Sequence, residues 1–359
     1  MPGGAIQRPD GARAPGDRTL EPISSRLSTD PGKGAVPELP RTPQRVAVVV
    51  NPTKALAELA QDAVIIACRK AGWADPVIFE TEADDPGFSM ARRAVDMGAD
   101  VVLAAGGDGT IRAVGASLAG GEIPLGLLPL GTGNLLARNL QADLADPHHS
   151  VDVALFGSEK AIDTVGMHLE TPDGRSEDHR FLVMGGAGFD AQIMADTKDD
   201  LKDLVGWAAY AEAGARNLFS GPRWARFSVD GGPWVSRLVR SVMVCNCGEL
   251  TAGIVLAPKA RLDDGFLDLV VMTPRSAVGW LRMAAKVVLQ HRHEPPVINY
   301  YSGKSVRVEF HEPIESEVDG DPLGSVQAFE TTIHHRSLKV RVPPSQADDV
   351  DAHRAGTHG

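Results

Sequence analysis

The sequence predicts an α/β protein of two domains, an N-terminal three-layer α/β domain followed by a C-terminal antiparallel β-sandwich. Three observations predict it. Short β-branched runs alternate with helix-period segments up to about residue 150, and beyond that point strand-type segments dominate. The length, 359 residues, exceeds the size at which a single core usually stops growing. The composition, 43% hydrophobic with 38 Gly and 25 Pro in no collagen-like period, excludes a fibrous or wholly disordered chain. Acidic residues outnumber basic ones 47 to 36, for a net charge of -11, which argues against nucleic acid as a partner. Three cysteines, of which Cys245 and Cys247 are two apart, make neither a CxxC pair nor a disulfide framework and suit a reducing cytoplasm.

Residues 1–41 are rich in Gly and Pro, hold no apolar run that would serve as a signal-peptide core, and read as a disordered leader. The α/β domain is expected over 42–155. Arg45 to Val50 is a buried strand running into the Asn51-Pro52-Thr53 turn. Ala57 to Ala71 carries Leu59, Ala60, Ala63, Ile66 and Ala67 at helical spacing. Strand and helix then repeat as Pro76 to Glu80 with Gly87 to Met97, and as Asp100 to Ala104 with Ile111 to Ala119. A fourth strand, Leu125 to Leu128, leads through Gly131-Thr-Gly-Asn134 into a short helix. Such β-then-α units form a mostly parallel sheet covered on both faces, whose ligands sit at the carboxyl ends of its strands.

The sandwich is expected over 156–342, the boundary falling between Gln141 and Asp163. Its strands read as Arg180 to Met184, Arg223 to Val229, Leu238 to Cys245, Phe266 to Met272, Ser305 to Phe310, Val326 to Glu330 and Ser337 to Val342. Two helices, about 199–218 and 276–290, interrupt them. Residues 343–359 read as a flexible tail. No run approaches the roughly 20 apolar residues that span a bilayer.

The sharpest motif is Ala105-Gly106-Gly107-Asp108-Gly109-Thr110, between a buried strand and a helix. Its glycines expose backbone N–H groups at a helix N-terminus, where phosphate oxygens bind favourably. Asp108 among those donors would help hold Mg2+ between nucleotide phosphates or accept a proton from an attacking hydroxyl. The same string also reads as a Gly-Asp-Gly turn ahead of an Asp or Thr cap. Asn51-Pro52-Thr53-Lys54 follows the first strand and Gly131-Thr132-Gly133-Asn134 the fourth, so three polar or glycine-rich loops gather at one sheet edge as a nucleotide cradle. Neither a Walker A loop nor a GxGxxG after the first strand is present.

Taken in this order, Asn51-Pro-Thr53, Gly106-Gly-Asp-Gly-Thr110 and Gly131-Thr-Gly-Asn134 resemble the diacylglycerol kinase catalytic domain family. That family includes bacterial lipid kinases and the ceramide and sphingosine kinases, and shares its nucleotide-binding architecture with NAD kinases and 6-phosphofructokinases. The resemblance covers residues 43 to 342. It implies an ATP-binding α/β domain and a lipid-binding sandwich, with the γ-phosphate transferred in the cleft between them. Contacts to ATP are implied at Asn51, Thr53, Gly106, Gly107, Asp108, Gly109, Thr110, Gly131, Thr132, Gly133 and Asn134, with Thr81 as a further candidate. The family's magnesium and water network implies metal roles for Asp108 and Asp163, with Asp152 competing for the latter; a further network position is Leu135 here, which binds no cation. In Val318-Asp319-Gly320-Asp321, which also reads as an Asp-Gly hairpin, the family implies a return of residues 319–321 to the cleft. Asp321 is then the base that deprotonates the lipid hydroxyl, with Asp319 able to share the role.

Asp264 and Asp268 flank a turn where some relatives hold a structural Mg2+; the alternative is a polar turn capped by its own carboxylates. Asp190, in a glycine-rich segment, is a secondary candidate. The histidines, His291, His293, His334 and His335 included, form no convincing ligand set. Arg275 to His293 places Trp280 and an apolar stripe beside a basic face, which reads either as a membrane-facing helix or as an ordinary solvated face; Trp207 and Tyr210 read as packing residues. The expectation is an ATP- and Mg2+-dependent lipid kinase acting on diacylglycerol or a sphingoid-like alcohol, cytoplasmic and transiently at the anionic inner face of the cell membrane, with a homodimer as a further expectation. The alternatives are a kinase of a soluble acceptor such as NAD and a non-catalytic nucleotide or lipid binder.

Overall fold

The computed structural model describes residues 44–144, 146–188, 222–251, 255–273 and 298–346. The expected leader, the helices at 199–218 and 276–290, Asp190, Trp207, Tyr210, the Arg275 to His293 segment and nearly all of the tail lie outside these residues. Those described belong to one compact unit, Pro37–Gly359.

Strand β1 (Val46–Val50) is buried at every position. Val46, Val48 and Val50 join a core beneath α1 (Ala57–Lys70) and α5 (Pro147–Phe156), while Ala47 and Val49 face the opposite core with Met90, Ile111 and Val114. An apolar residue at every position is what a strand covered on both faces requires. Around it run β2 (Val77–Glu80), β3 (Val101–Gly106) and β4 (Leu125–Pro129), all parallel, in the order β4-β3-β1-β2. Helices α2 (Phe88–Asp96) and α3 (Asp108–Leu118) cover the second face, and α4 (Leu135–Asn139) follows β4. Helix α5 starts at Asp146, whose carboxylate accepts the N–H groups of His148 and His149 at 2.9 and 3.2 Å, with Pro147 at the first helical position.

After α5 the pairing turns antiparallel. The strands are β5 (Ser158–Glu170), β6 (Ser176–Phe181), β7 (Met184–Ala187), β8 (Arg223–Val229), β9 (Val235–Val239), β10 (Ser241–Cys245), β11 (Leu267–Met272), β12 (Ile298–Gly303), β13 (Ser305–Val318) and β14 (Asp321–Val342). Their inward residues, among them Met167, Phe181, Phe227, Val244, Leu269, Val308 and Phe329, form the interior of the sandwich. The α/β and sandwich architecture expected from the sequence is the one observed.

Several elements differ in detail. The expected strand Leu238 to Cys245 is two strands, β9 and β10, parted at Arg240. The expected strands at 326–330 and 337–342 are one strand, β14, of 22 residues, whose register against β5 shifts between His334 and Leu338. That irregularity, where the sequence reads His334-His-Arg-Ser337, is a polar break in an otherwise continuous strand. Strands β5 and β12, polar on one side, do not stand out in the hydrophobic pattern. β14 also crosses back to the α/β sheet, where Val340 pairs parallel with Leu125 of β4.

Candidate active site at the carboxyl edge of the parallel sheet

In the order β4-β3-β1-β2 the chain leaves β1 toward β2 and leaves β3 toward β4. The carboxyl ends of β1 and β3 therefore border the switch-point crevice at which open α/β sheets bind ligands. The three expected loops meet there. The Asn51 N–H donates to the Ala105 carbonyl at 2.9 Å, the Leu130 N–H to Gly106 at 2.8 Å, and the Thr81 N–H to Val50 at 2.8 Å. The Asn51 side-chain oxygen accepts both the N–H and the hydroxyl of Thr53, at 3.0 and 2.7 Å, and fixes the turn after β1.

Glycine is required where two of these loops touch. A Cβ on Gly131 would lie 2.7 Å from the Gly107 Cα, and one on Gly133 would lie 2.5 Å from Oδ2 of Asp108. Asn134, buried at φ 49°, closes the second loop: its Oδ1 accepts the Gly131 N–H at 3.1 Å and its Nδ2 donates to the Gly131 carbonyl at 2.7 Å. Thr110 is buried under Gly106 and Thr132 is exposed. Helix α3 begins with Gly107 as its N-cap and no side-chain cap, which leaves its first turn to bind an anion.

Asp108 opens that helix and caps the next one. Its carboxylate accepts the N–H groups of Asn134 and Leu135 at 2.8 and 2.6 Å, holding the start of α4. Burial raises its pKa above the ordinary carboxylate value; those two amides and its own backbone N–H oppose the shift, and the charge of Asp321 adds to it. Leu135 contributes that amide while its side chain packs in the core.

Asp319 and Asp321 arrive from the sandwich on the two-residue turn between β13 and β14. Asp319 at φ 49° and Gly320 at φ 87° have the positive angles of a tight primed hairpin, with Val318 paired to Asp321. The two carboxylates face different groups. Asp319 is buried and accepts the N–H groups of Leu182, Val183 and Met184, each at 2.9 Å. Burial pushes its pKa up to about 6, against those amides and the charge of Arg112. Asp321 lies over the first turn of α3, with its Oδ2 3.0 Å from where a Cβ on Gly109 would be. It pairs at 2.6 Å with Nη2 of Arg112, whose side chain is 9% exposed against 44% for Asp321.

Two basic side chains join the site: Lys54, the last residue of the Asn51-Pro52-Thr53-Lys54 loop, and Arg112, which belongs to no motif. Arg112 follows Asp108 by four residues on α3, a spacing that shares a helix face and was readable. Its Nε is buried with no hydrogen-bond partner. Lys54 brings its ammonium to the Gly107 turn, 3.8 Å from the position a Cβ there would take, and that side chain makes no ion pair among the described residues.

The other carboxylates have separate settings. Asp163 is fully buried in β5 and accepts the N–H groups of Gly265 and Arg336 at 2.7 and 2.6 Å, with His335 Nδ1 at 2.9 Å. These bonds join β5 to the 263–265 turn and to β14, and none is with the cradle. Asp152 is exposed on α5. Asp264 caps its own turn through the Phe266 N–H at 3.0 Å. Asp268 is raised above the ordinary value by burial and next by the charge of Asp264. Among the described residues no group of three or more His, Cys, Asp or Glu side chains is placed to hold a metal ion.

A glycine-lined crevice at a parallel-sheet switch point, faced by an acidic hairpin from a β-sandwich, defines a two-domain α/β and sandwich architecture with a candidate anion-binding site. Residues 45–167 match the diacylglycerol kinase catalytic domain, and residues 184–342 match the YegS C-terminal NAD kinase beta sandwich-like domain. A Pseudomonas fluorescens protein named "Probable lipid kinase YegS-like" is 30% identical over 288 residues, covering 78% of this chain and 90% of that one. A Pseudomonas aeruginosa protein of the same name is 34% identical over 224 residues, 61% of this chain and 70% of its own length. A solved structure of a diacylglycerol kinase from Bacillus anthracis shares the fold, with a TM-score of 0.62 at 20% identity, over 85% of this chain and 98% of that one. The chain belongs to the YegS-like branch of the diacylglycerol kinase catalytic domain family.

Proposed function

We propose that this member of a lipid kinase family transfers the γ-phosphate of ATP to the hydroxyl of a diacylglycerol or a sphingoid-like lipid, with Asp321 as the general base. The observation that carries the reading is the position of Asp321, which comes from the sandwich yet lies over the first turn of α3. A phosphoryl acceptor entering from the sandwich side would meet that carboxylate before it met the cradle.

In this reading the ATP phosphates lie on the uncapped first turn of α3 and on the 106–110 and 131–134 loops, with Lys54 as a counter-charge. Asn51, Thr53 and Thr81, at the ends of β1 and β2, border the nucleotide. The acceptor oxygen bonds to the γ-phosphorus as the bond from that phosphorus to the β,γ-bridging oxygen breaks, which yields a phosphorylated lipid and ADP. Asp321 takes the hydroxyl proton, and Arg112 fixes the direction in which it points. Asp319 holds the hairpin that delivers it.

The donor set suits a magnesium ion that arrives with the nucleotide, held chiefly by phosphate oxygens and water. Asp108 is the protein carboxylate at the cradle, each of its oxygens already accepts one amide, and no three-ligand cage exists among the described residues. Such an ion would supply charge neutralisation to the transferring phosphate, and Asp108 is the residue that would hold it, directly or through water. Asp163 remains a network member only through intervening water.

The test is purified full-length protein with γ-labelled ATP and separate panels of lipid alcohols and NAD. Label in the extracted lipid is the expected result. Label in NAD, or nucleotide binding without transfer to any acceptor, would overturn the assignment.

A further inference from the structure

An arginine presents its Nε–H and one Nη–H along a single edge, and that edge takes both oxygens of an anion. Arg69 uses it in this way on Asp75, with Nε and Nη2 each donating at 2.7 Å. On Arg112 the same edge is half filled: Nη2 donates to Oδ2 of Asp321 at 2.6 Å, while Nε is buried and has no partner. A buried donor left without an acceptor costs stability. In a native chain such a group is accounted for by strain, by a bound water or ion, or by a role in chemistry.

The place of this half-filled edge favours the last of these. The Asp321 oxygen that Arg112 holds lies 3.0 Å from where a Cβ on Gly109 would be, over the first turn of α3. The Ile111 N–H bonds back to the Gly107 carbonyl at 3.0 Å, so the N–H groups of Gly109 and Thr110 precede the helical ladder and remain for an anion. Arg112 thus reaches the turn that the glycine loops open to phosphate. The charges there require a cation. Asp108 and Asp321 repel each other, Asp319 lies in the field of Arg112, and a polyphosphate adds further negative charge beside all three. Lys54 stands at Gly107, which leaves Arg112 as the cation at the Gly109 end of the turn among the described residues.

We infer that Arg112 is a catalytic residue that grips the transferring γ-phosphoryl group and Asp321 together, so that the base and the phosphate, both anionic, stand side by side. Its guanidinium stays protonated throughout and neutralises charge on the phosphoryl oxygens as the bond to the acceptor forms. Nε is closed to solvent, and Asp321, 44% exposed, is the neighbour that yields as a phosphate oxygen enters. This role rests on the phosphoryl-transfer reading and adds a substrate contact to the orienting of Asp321.

The test is calorimetric titration of the full chain with Mg2+ and either ADP or β,γ-imido-ATP, with no acceptor added. The unaltered protein should bind the triphosphate more tightly, because it alone carries the γ-phosphoryl group. Arg112→Gln should weaken β,γ-imido-ATP at least about tenfold and leave ADP within about twofold, a split that misdirection of Asp321 alone would not produce. Arg112→Lys keeps the charge without the fork, should lose at least about threefold on the triphosphate, and keeps the test decisive if the glutamine variant fails to fold. Asp321→Asn, which leaves the guanidinium in place, should retain the preference for triphosphate. An equal loss for both nucleotides, an unchanged preference in either Arg112 variant, its loss in Asp321→Asn, or no preference in the unaltered protein would overturn the inference. A preference that tracks Arg112 stands even where label never reaches a lipid, and that result would sink the acceptor assignment alone.

Discussion

Asp321 faces a guanidinium, Asp108 two amides at the start of a neighbouring helix, and Asp319 the three amides of Leu182 to Met184, where β7 begins. If Asp321 is the base, Asp321→Asn should lower kcat by roughly 10² to 10⁴ and leave ATP affinity, read by titration, nearly unchanged. Asp108→Asn should do two things at once, because an amide accepts through one oxygen where the carboxylate uses two. We expect kcat to fall by about 10² or more, together with a loss on the order of 1 kcal/mol in urea unfolding from the weakened α4 cap. The capping and chemical readings of this residue are thus compatible. Asp319 carries a pH signature. With its pKa raised to about 6, the folded chain holds this proton more tightly than the unfolded chain, whose carboxyl titrates near 3.9. Its stabilising contribution is therefore full below about pH 4 and is lost as pH rises through about 6, with a slope of up to about 1.4 kcal/mol per pH unit. Urea unfolding at pH 4, 5, 6 and 7 should show the stability of the native chain falling relative to Asp319→Asn over that window; a constant difference would refute the assignment.

Between elements, the cradle depends on backbones meeting where side chains would intrude. Gly131→Ala would force a methyl to 2.7 Å from the Gly107 Cα, and neither loop can yield without moving a strand end. ATP affinity should drop at least tenfold in that variant, with a lower Tm; wild-type affinity would show that the loops part freely. Much of this region was legible in the sequence because the junctions after β1, β3 and β4 carry short Asn-Pro or glycine-rich strings, and Gly131 and Gly133 stand where a Cβ would clash. The sandwich was less legible. His334 to Ser337 looks like a loop in one dimension, and it takes the pairing of β14 with β5 on both sides to show a strand that merely shifts register there. The contrast between Asp319 and Asp321 was hidden for a similar reason: the amides of Leu182 to Met184 and the guanidinium of Arg112 are more than a hundred residues away in sequence. Pairing partners that distant leave no local periodicity to read.

Across the molecule, one core holds residues of both halves. Val49, Ile111 and Leu136 pack in a cluster with Ile162, Leu182, Met243, Leu338 and Val340, so the α/β layer and the sandwich strands exclude water from each other. Thermal unfolding followed by far-ultraviolet circular dichroism and by tryptophan fluorescence should therefore coincide in one transition, and two separated transitions would show that the halves fold independently. Strand β14 begins at Asp321 and ends by lining β4 with Val340. The first half of the chain to leave the ribosome thus lacks a wall of its core until the last structured strand has been made. At typical rates of about 5 to 20 residues per second, the nucleotide crevice waits on the order of ten seconds or more for residues 338–342. During that interval the exposed edge of β4 needs protection by a chaperone or by the emerging sandwich, and a ribosome stalled shortly before residue 338 would hold a complete set of cradle loops on an unfinished sheet.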